Sequence, residues 1–122
     1  MTLKSQKILV IDDEVDIAML LSEILEWEGF SVQTATNGAE ALEILTTDTF
    51  SAIFTDLQMP VMGGIEFIKK YRQIDDKTPI ILLTGNIDSG NHTENNGISA
   101  TLRKPVDIDD LLAILDSCIL RA

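Results

Sequence analysis

Short apolar runs alternate with helix-period segments along the whole chain, and no other feature restricts the fold as strongly. Runs at 8–11 (ILVI), 32–35 (VQTA), 52–54 (AIF), 80–83 (IILL) and around Thr101–Leu102 have the length of strands. After the first run, Ile17, Leu20, Leu21, Ile24 and Leu25 recur at helical spacing on one face, and Gly29 supplies a stop. Asn37 with Glu40 opens a second helix carrying Ala41, Leu42 and Leu45. Gly63-Gly64 opens a third with Ile65, Ile68 and Tyr71, and Asp107 with Asp110 opens a last one. There Ile108, Leu111, Leu112, Leu115 and Ile119 form the core stripe. Trp27 and Phe30 bracket Gly29 and are expected to pack as anchors.

This alternation predicts an α/β fold, a parallel sheet covered by helices on both faces, because right-handed crossovers leave few other topologies. ILVI and IILL suit strands buried on both sides. The fourth helical slot breaks the pattern. Residues 88–97, DSGNHTENNG, hold no apolar side chain and are rich in poor helix formers, so that helix is expected to be short, irregular or disordered.

A chain of 122 residues with 45% hydrophobic and 24% charged side chains fits one domain, residues 1–122, with one core. The single cysteine, Cys118, cannot form an internal disulfide, and the apolar run at 8–11 is too short for a secretory signal; both point to the cytoplasm. No stretch approaches the roughly 20 apolar residues of a membrane span. Twenty acids against nine bases disfavour nucleic-acid phosphates and anionic lipid, so neither direct nucleic-acid binding nor membrane binding is expected. Lys69, Lys70 and Arg72 read as a solvated helix face, His92 as a solvated side chain and Cys118 as a buried, inert thiol.

In open α/β sheets the ligand site lies beyond the carboxyl ends of the strands. Each strand end there delivers a reactive side chain: Asp12 and Asp13 after the first, Asp56 after the third, Thr84 after the fourth and Lys104 after the fifth. Alone, an Asp-Asp pair after a strand is more simply a helix N-cap, Thr84 a strand end and Lys104 a surface lysine. Together they form a hard-oxygen cluster suited to Mg²⁺, with an ammonium and a hydroxyl able to engage phosphoryl oxygens. Asp56 is then a candidate nucleophile toward phosphorus. Zinc would require His or Cys, and His92 and Cys118 are the only ones present.

The segments VIDDE, TDLQMPVMGG, LLTG and LRKP, in this order and at these spacings, resemble the receiver domain of two-component response regulators over about residues 5–121. The resemblance implies a flavodoxin-like, doubly wound (βα)5 fold with strand order 2-1-3-4-5. It makes Asp56 the phosphoryl acceptor from a sensor histidine kinase or histidine phosphotransfer protein. Asp13 and Asp56 would bind Mg²⁺ directly with the main-chain carbonyl of Gln58, and Asp12 mostly through water. Thr84 would hydrogen-bond the phosphoryl group and Lys104 would pair with it, with a cis bond before Pro105. The switch would act on a downstream output domain or partner protein, as a monomer or weak dimer. One departure stands out: Thr101 occupies the place of the family's usual signalling aromatic, so the signal is expected to run through ordering of residues 85–97 instead. Gln58 and Asn86 flank the acceptor and are expected to tune the lifetime of its phosphoryl group.

Three other readings compete. One is a receiver-like interaction module that is not phosphorylated in use. Another is a magnesium-dependent phosphatase with an aspartyl nucleophile, which would carry a D-x-D motif after the first strand where this chain has DDEVD. The third is a flavin-binding module, whose phosphate loop would replace those acids.

Overall fold

A computed structural model describes residues 6–85 and 97–119. Five strands run in it, β1 (Lys7–Ile11), β2 (Ser31–Ala35), β3 (Ala52–Asp56), β4 (Ile80–Thr84) and β5 (Ala100–Arg103). Among the described residues there are four helices, α1 (Val15–Trp27), α2 (Gly38–Ile44), α3 (Gly64–Arg72) and α4 (Ile108–Cys118). The strands pair in parallel in the order β2-β1-β3-β4-β5, as the resemblance implies. The helical slot expected between β4 and β5 falls at 86–96, outside the described residues, together with Asn86 and His92.

Strand alternation builds two cores. Ile8 and Val10 of β1, Phe54 of β3, Ile81 and Leu83 of β4 and Leu102 of β5 face α1 and α4, meeting Ala18, Leu21, Leu25, Leu111 and Leu115. Leu9, Ile11, Ile53, Ile80 and Leu82 face the other way, meeting Ala41 of α2 and Phe67, Ile68 and Tyr71 of α3. Burying each such side chain contributes about 1.5–3 kcal/mol, which is why the central strands needed to be apolar at consecutive positions. Gly38 lets α2 approach α3: a Cβ there would lie 2.8 Å from the Phe67 Cβ.

Local signals explain the helix starts. Asn37 Oδ1 accepts the Glu40 N–H at 2.9 Å, but Glu40 returns its carboxylate to the N–H and hydroxyl of Thr36, one residue earlier than a capping box would have it. Asp107 caps α4 through the N–H groups of Asp109 and Asp110. The structure corrects several packing expectations. Phe30 is buried, but Trp27 is 88% exposed, and Leu20 and Ile108 also stand about half in water. Leu20 and Trp27 are seven residues apart and share a face, but that face lies well over 90° from the stripe of Leu21 and Leu25. Ile108 occupies the first turn of α4, where it lines a surface groove with Leu20 and Trp27 of α1. Cys118 is half-buried against the α1/α4 core, not fully enclosed. Arg72 is also no simple solvated residue, since its guanidinium binds the carbonyls of Gly97 and Asp75.

Candidate functional site

The order reverses between β1 and β3, which the chain leaves toward opposite sheet edges. Register sets Ile11 beside Thr55, so the next residues, Asp12 and Asp56, emerge side by side at that switch point. Oxygens of Asp12, Asp13 and Asp56 come within 4.8 Å of one another. These carboxylates do not cap a helix. The N-cap of α1 is Glu14, without a side-chain bond, while Asp12 turns one oxygen to the Glu14 N–H at 2.9 Å and the other into the cluster.

Lys104 supplies the opposing charge. Its Nζ lies 3.1 Å from Asp12 Oδ2, 3.3 Å from Asp56 Oδ2 and 3.6 Å from Glu14 Oε1. The Lys104–Pro105 peptide bond is cis. Burial by itself would lower the Lys104 ammonium, but its hydrogen bond to Asp12 and the charges of Asp12 and Asp56 more than offset that, so the net shift is upward. The Asp56 carboxyl is also held above its ordinary value of 3.8, first by burial and then by the charge of Asp12. Lys104 and the Leu57 N–H, which donates to Asp56 Oδ1 at 2.8 Å, oppose that rise. At Asp56, burial and the charge of Asp12 therefore outweigh the ion pair.

Asp13, Glu14, Asp56, Leu57, Gln58, Thr84 and Gly85 line a cavity of about 440 Å³ above the pair. Asp12 is 1% exposed and lies beneath it, whereas Asp13 and Gln58 are exposed at its rim. Thr84 is buried at the end of β4, and its carbonyl accepts the Lys104 N–H at 2.8 Å. Gly85 is exposed, with open space where a side chain would stand. Six residues singled out from the sequence, Asp12, Asp13, Asp56, Gln58, Thr84 and Lys104, thus converge at one end of the sheet, while Asn86 lies outside the described residues.

Two participants were missed. Glu14 enters the sequence reading only as a letter of VIDDE, although its position just after Asp13 places it over the same crevice. Gly64 was read as a helix start, yet a methyl group there would overlap the carbonyl oxygen of Asp56, so β3 and α3 touch backbone to backbone. The loop between them carries Val61 at φ 70°, an uncommon conformation for a β-branched residue, with its side chain 83% exposed.

Comparison with known proteins places this geometry. The response regulator receiver domain model matches residues 8–116. Sporulation initiation phosphotransferase F of Bacillus subtilis (strain 168) is 34% identical over 109 residues, covering 88% of either chain. The transcriptional regulatory protein CpxR homolog of Haemophilus influenzae is 33% identical over 118 residues, 95% of this chain but 51% of that longer protein. Chemotaxis response regulator CheY4 of Vibrio cholerae superposes with a TM-score of 0.86 at 33% identity, covering 94% of this chain and 99% of that one. Response regulator TrrA of Thermotoga maritima, solved in complex with Mg²⁺-BeF, gives 0.86 at 30% identity over 93% and 99% of the two chains. On the family match and these relatives, with the strand order they share, the chain belongs to the receiver-domain family of two-component response regulators.

Proposed function

We propose that residues 1–122 act as one receiver domain in which Asp56 accepts a phosphoryl group from a sensor histidine kinase or histidine phosphotransfer protein, in a Mg²⁺-dependent reaction in the cytoplasm. The observation that carries the reading is the convergence of three carboxylates and one ammonium beneath an open cavity, with the Lys104 Nζ 3.3 Å from Asp56. An Asp56 oxygen attacks phosphorus and forms the new O–P bond, while the donor's P–N bond breaks and its electron pair returns to the imidazole nitrogen. The Leu57 N–H holds the other carboxylate oxygen and so orients the attacking one. Lys104 and the Thr84 hydroxyl receive the phosphoryl oxygens as charge develops on them.

The donor set of Asp12, Asp13, Asp56 and the Gln58 carbonyl is all oxygen, which fits Mg²⁺. When bound, the ion supplies neutralising charge to the phosphoryl oxygens. The Mg²⁺-BeF complex of TrrA supports the same assignment by likeness. Transfer adds negative charge to a crevice whose cation sits on β5, and the resulting rearrangement would change affinity for a downstream output domain or partner protein. Among the described residues no helix is long and apolar enough to cross a membrane.

Incubation with Mg²⁺ and acetyl phosphate, read by intact mass, tests the proposal. One added phosphoryl group, absent without Mg²⁺ and absent in Asp56→Asn, is the expected result. No addition under conditions that leave the fold intact would favour an interaction module instead.

A further inference from the structure

Lys104 reaches the acids from an edge strand of the sheet that packing secures lightly. β5 is an edge strand of four residues, of which only Leu102 is buried. Register is strongly specified only where a strand's alternation commits a whole face to the core, and β5 offers little beyond Leu102, the half-buried Ala100 on the same core and Ile98 just before the strand, packed into the other. Something else must fix how far β5 lies along β4, because a slip there would carry the ammonium away from Asp56.

Hydrogen bonds fix it from both ends. The Lys104 N–H meets the Thr84 carbonyl at 2.8 Å, and at the entrance the Ser99 N–H meets the Ile80 carbonyl at 2.8 Å, with Ser99 Oγ accepting the Ile80 N–H at 3.1 Å. Two residues earlier, Arg72 at the end of α3 donates from Nε and Nη2 to the Gly97 carbonyl, at 2.9 and 2.7 Å. Its Nη1 donates to the Asp75 carbonyl at 3.2 Å, which anchors the guanidinium to its own helix end. Gly97 has φ +77°, and a Cβ on it would lie 2.7 Å from Arg72 Cγ, so the arginine lies across space that only glycine leaves open. A lysine could not reproduce the planar fork.

We propose that Arg72 is a positioning residue for Lys104: by holding the Gly97 carbonyl against α3, it sets the axial position of β5 and so the reach of the ammonium toward Asp56. The same helix begins at Gly64, in backbone contact with the acceptor strand, so α3 measures one half of the site against the other. The proposal rests on reading Asp56 as acceptor and Lys104 as its cation.

The test compares Arg72→Lys and Arg72→Ala in the native chain and in Lys104→Ala, with acetyl phosphate and Mg²⁺ as probes. Phosphoryl incorporation should slow roughly five- to ten-fold in the native background, the scale expected when a reacting group is misplaced by a fraction of an ångström. It should slow no further in Lys104→Ala. Mg²⁺ affinity, set by acids on β1 and β3, should stay within about two-fold of native by the reciprocal logic of independent sites. Equal slowing in both backgrounds would reduce Arg72 to a general structural role and overturn the proposal. A readout independent of phosphorylation is amide exchange and ¹⁵N shift at Leu102, Arg103 and Lys104. Both arginine variants should move these signals, and unchanged signals would also overturn it. If Arg72→Ala does not fold, Gly97→Ala, which displaces the arginine instead of removing it, should reproduce the slowing. A native chain that takes up no phosphoryl group would sink the acceptor reading, while the amide readout would still decide whether Arg72 places β5.

Discussion

The acid half and the cation half of the site are built on different principles. Asp12, Asp13 and Asp56 leave β1 and β3, whose side chains are buried almost throughout and packed between helices on both faces. Lys104 leaves β5, where one side chain in four is buried and hydrogen bonds to the backbone do the locating. Like charges that repel must be held by packing, because nothing in their own chemistry keeps them together. A cation attracted to all of them is drawn in by their charge, so its strand can be placed by a few hydrogen bonds instead of by packing on both faces. The difference suggests that the acids define the site and the lysine responds to what occupies it.

The contrast can be broken most severely at Gly64. A Gly64→Ala methyl must displace the Asp56 carbonyl, which the packed central half cannot yield, so urea unfolding should show a loss of about 3 kcal/mol or more. A small change would mean that β3 is less rigid than its packing implies. Removing the cation should cost less and be recoverable. Lys104→Ala leaves the buried Asp12 and its neighbours uncompensated, for a loss of about 2–3 kcal/mol at neutral pH that Mg²⁺ restores in part, whereas the same ion adds little to Asp13→Asn. Equal Mg²⁺ stabilisation of both variants would contradict the assignment of the acids.

A smaller effect tests the repulsion itself. The folded chain holds the Asp56 carboxyl above its ordinary value of 3.8, so without metal the fold loses stability as pH rises through that raised value, and retains it fully below 3.8. Asp56→Asn mimics the protonated form. It should therefore be more stable than the native chain at neutral pH, with the gap closing as thermal unfolding is repeated toward pH 4. A gap of opposite sign would show that Lys104 outweighs burial and Asp12. The smallest change concerns the loop from β3: Val61→Asn relieves a β-branched residue at positive φ and should gain about 0.5 kcal/mol. No gain would mean that the loop redistributes the strain at no cost.

What could be read from the sequence follows the same division. Strands buried on both faces had to be written as ILVI and IILL, so the central sheet and the residues at its carboxyl ends were plain from the letters alone. Amphipathic segments were less transparent: Leu20 and Trp27 match helical spacing as well as Leu21 and Leu25 do, and only the placement of the neighbouring helices decides which row meets the sheet. The register of β5 was not readable at all. Its clamp joins Arg72 to a carbonyl 25 residues away, and a backbone acceptor leaves no trace in side-chain chemistry. Glu14 shows the reverse problem, because a run of acids hides which members bond the lysine.

The solvent-borne indole at the end of α1 has a practical consequence. Trp27 is the chain's single tryptophan and already experiences nearly the polarity of water in the native protein. Intrinsic emission should therefore shift little when the chain denatures, and a weak optical transition would say nothing about cooperativity. Backbone ellipticity is the better gauge for every unfolding curve described above.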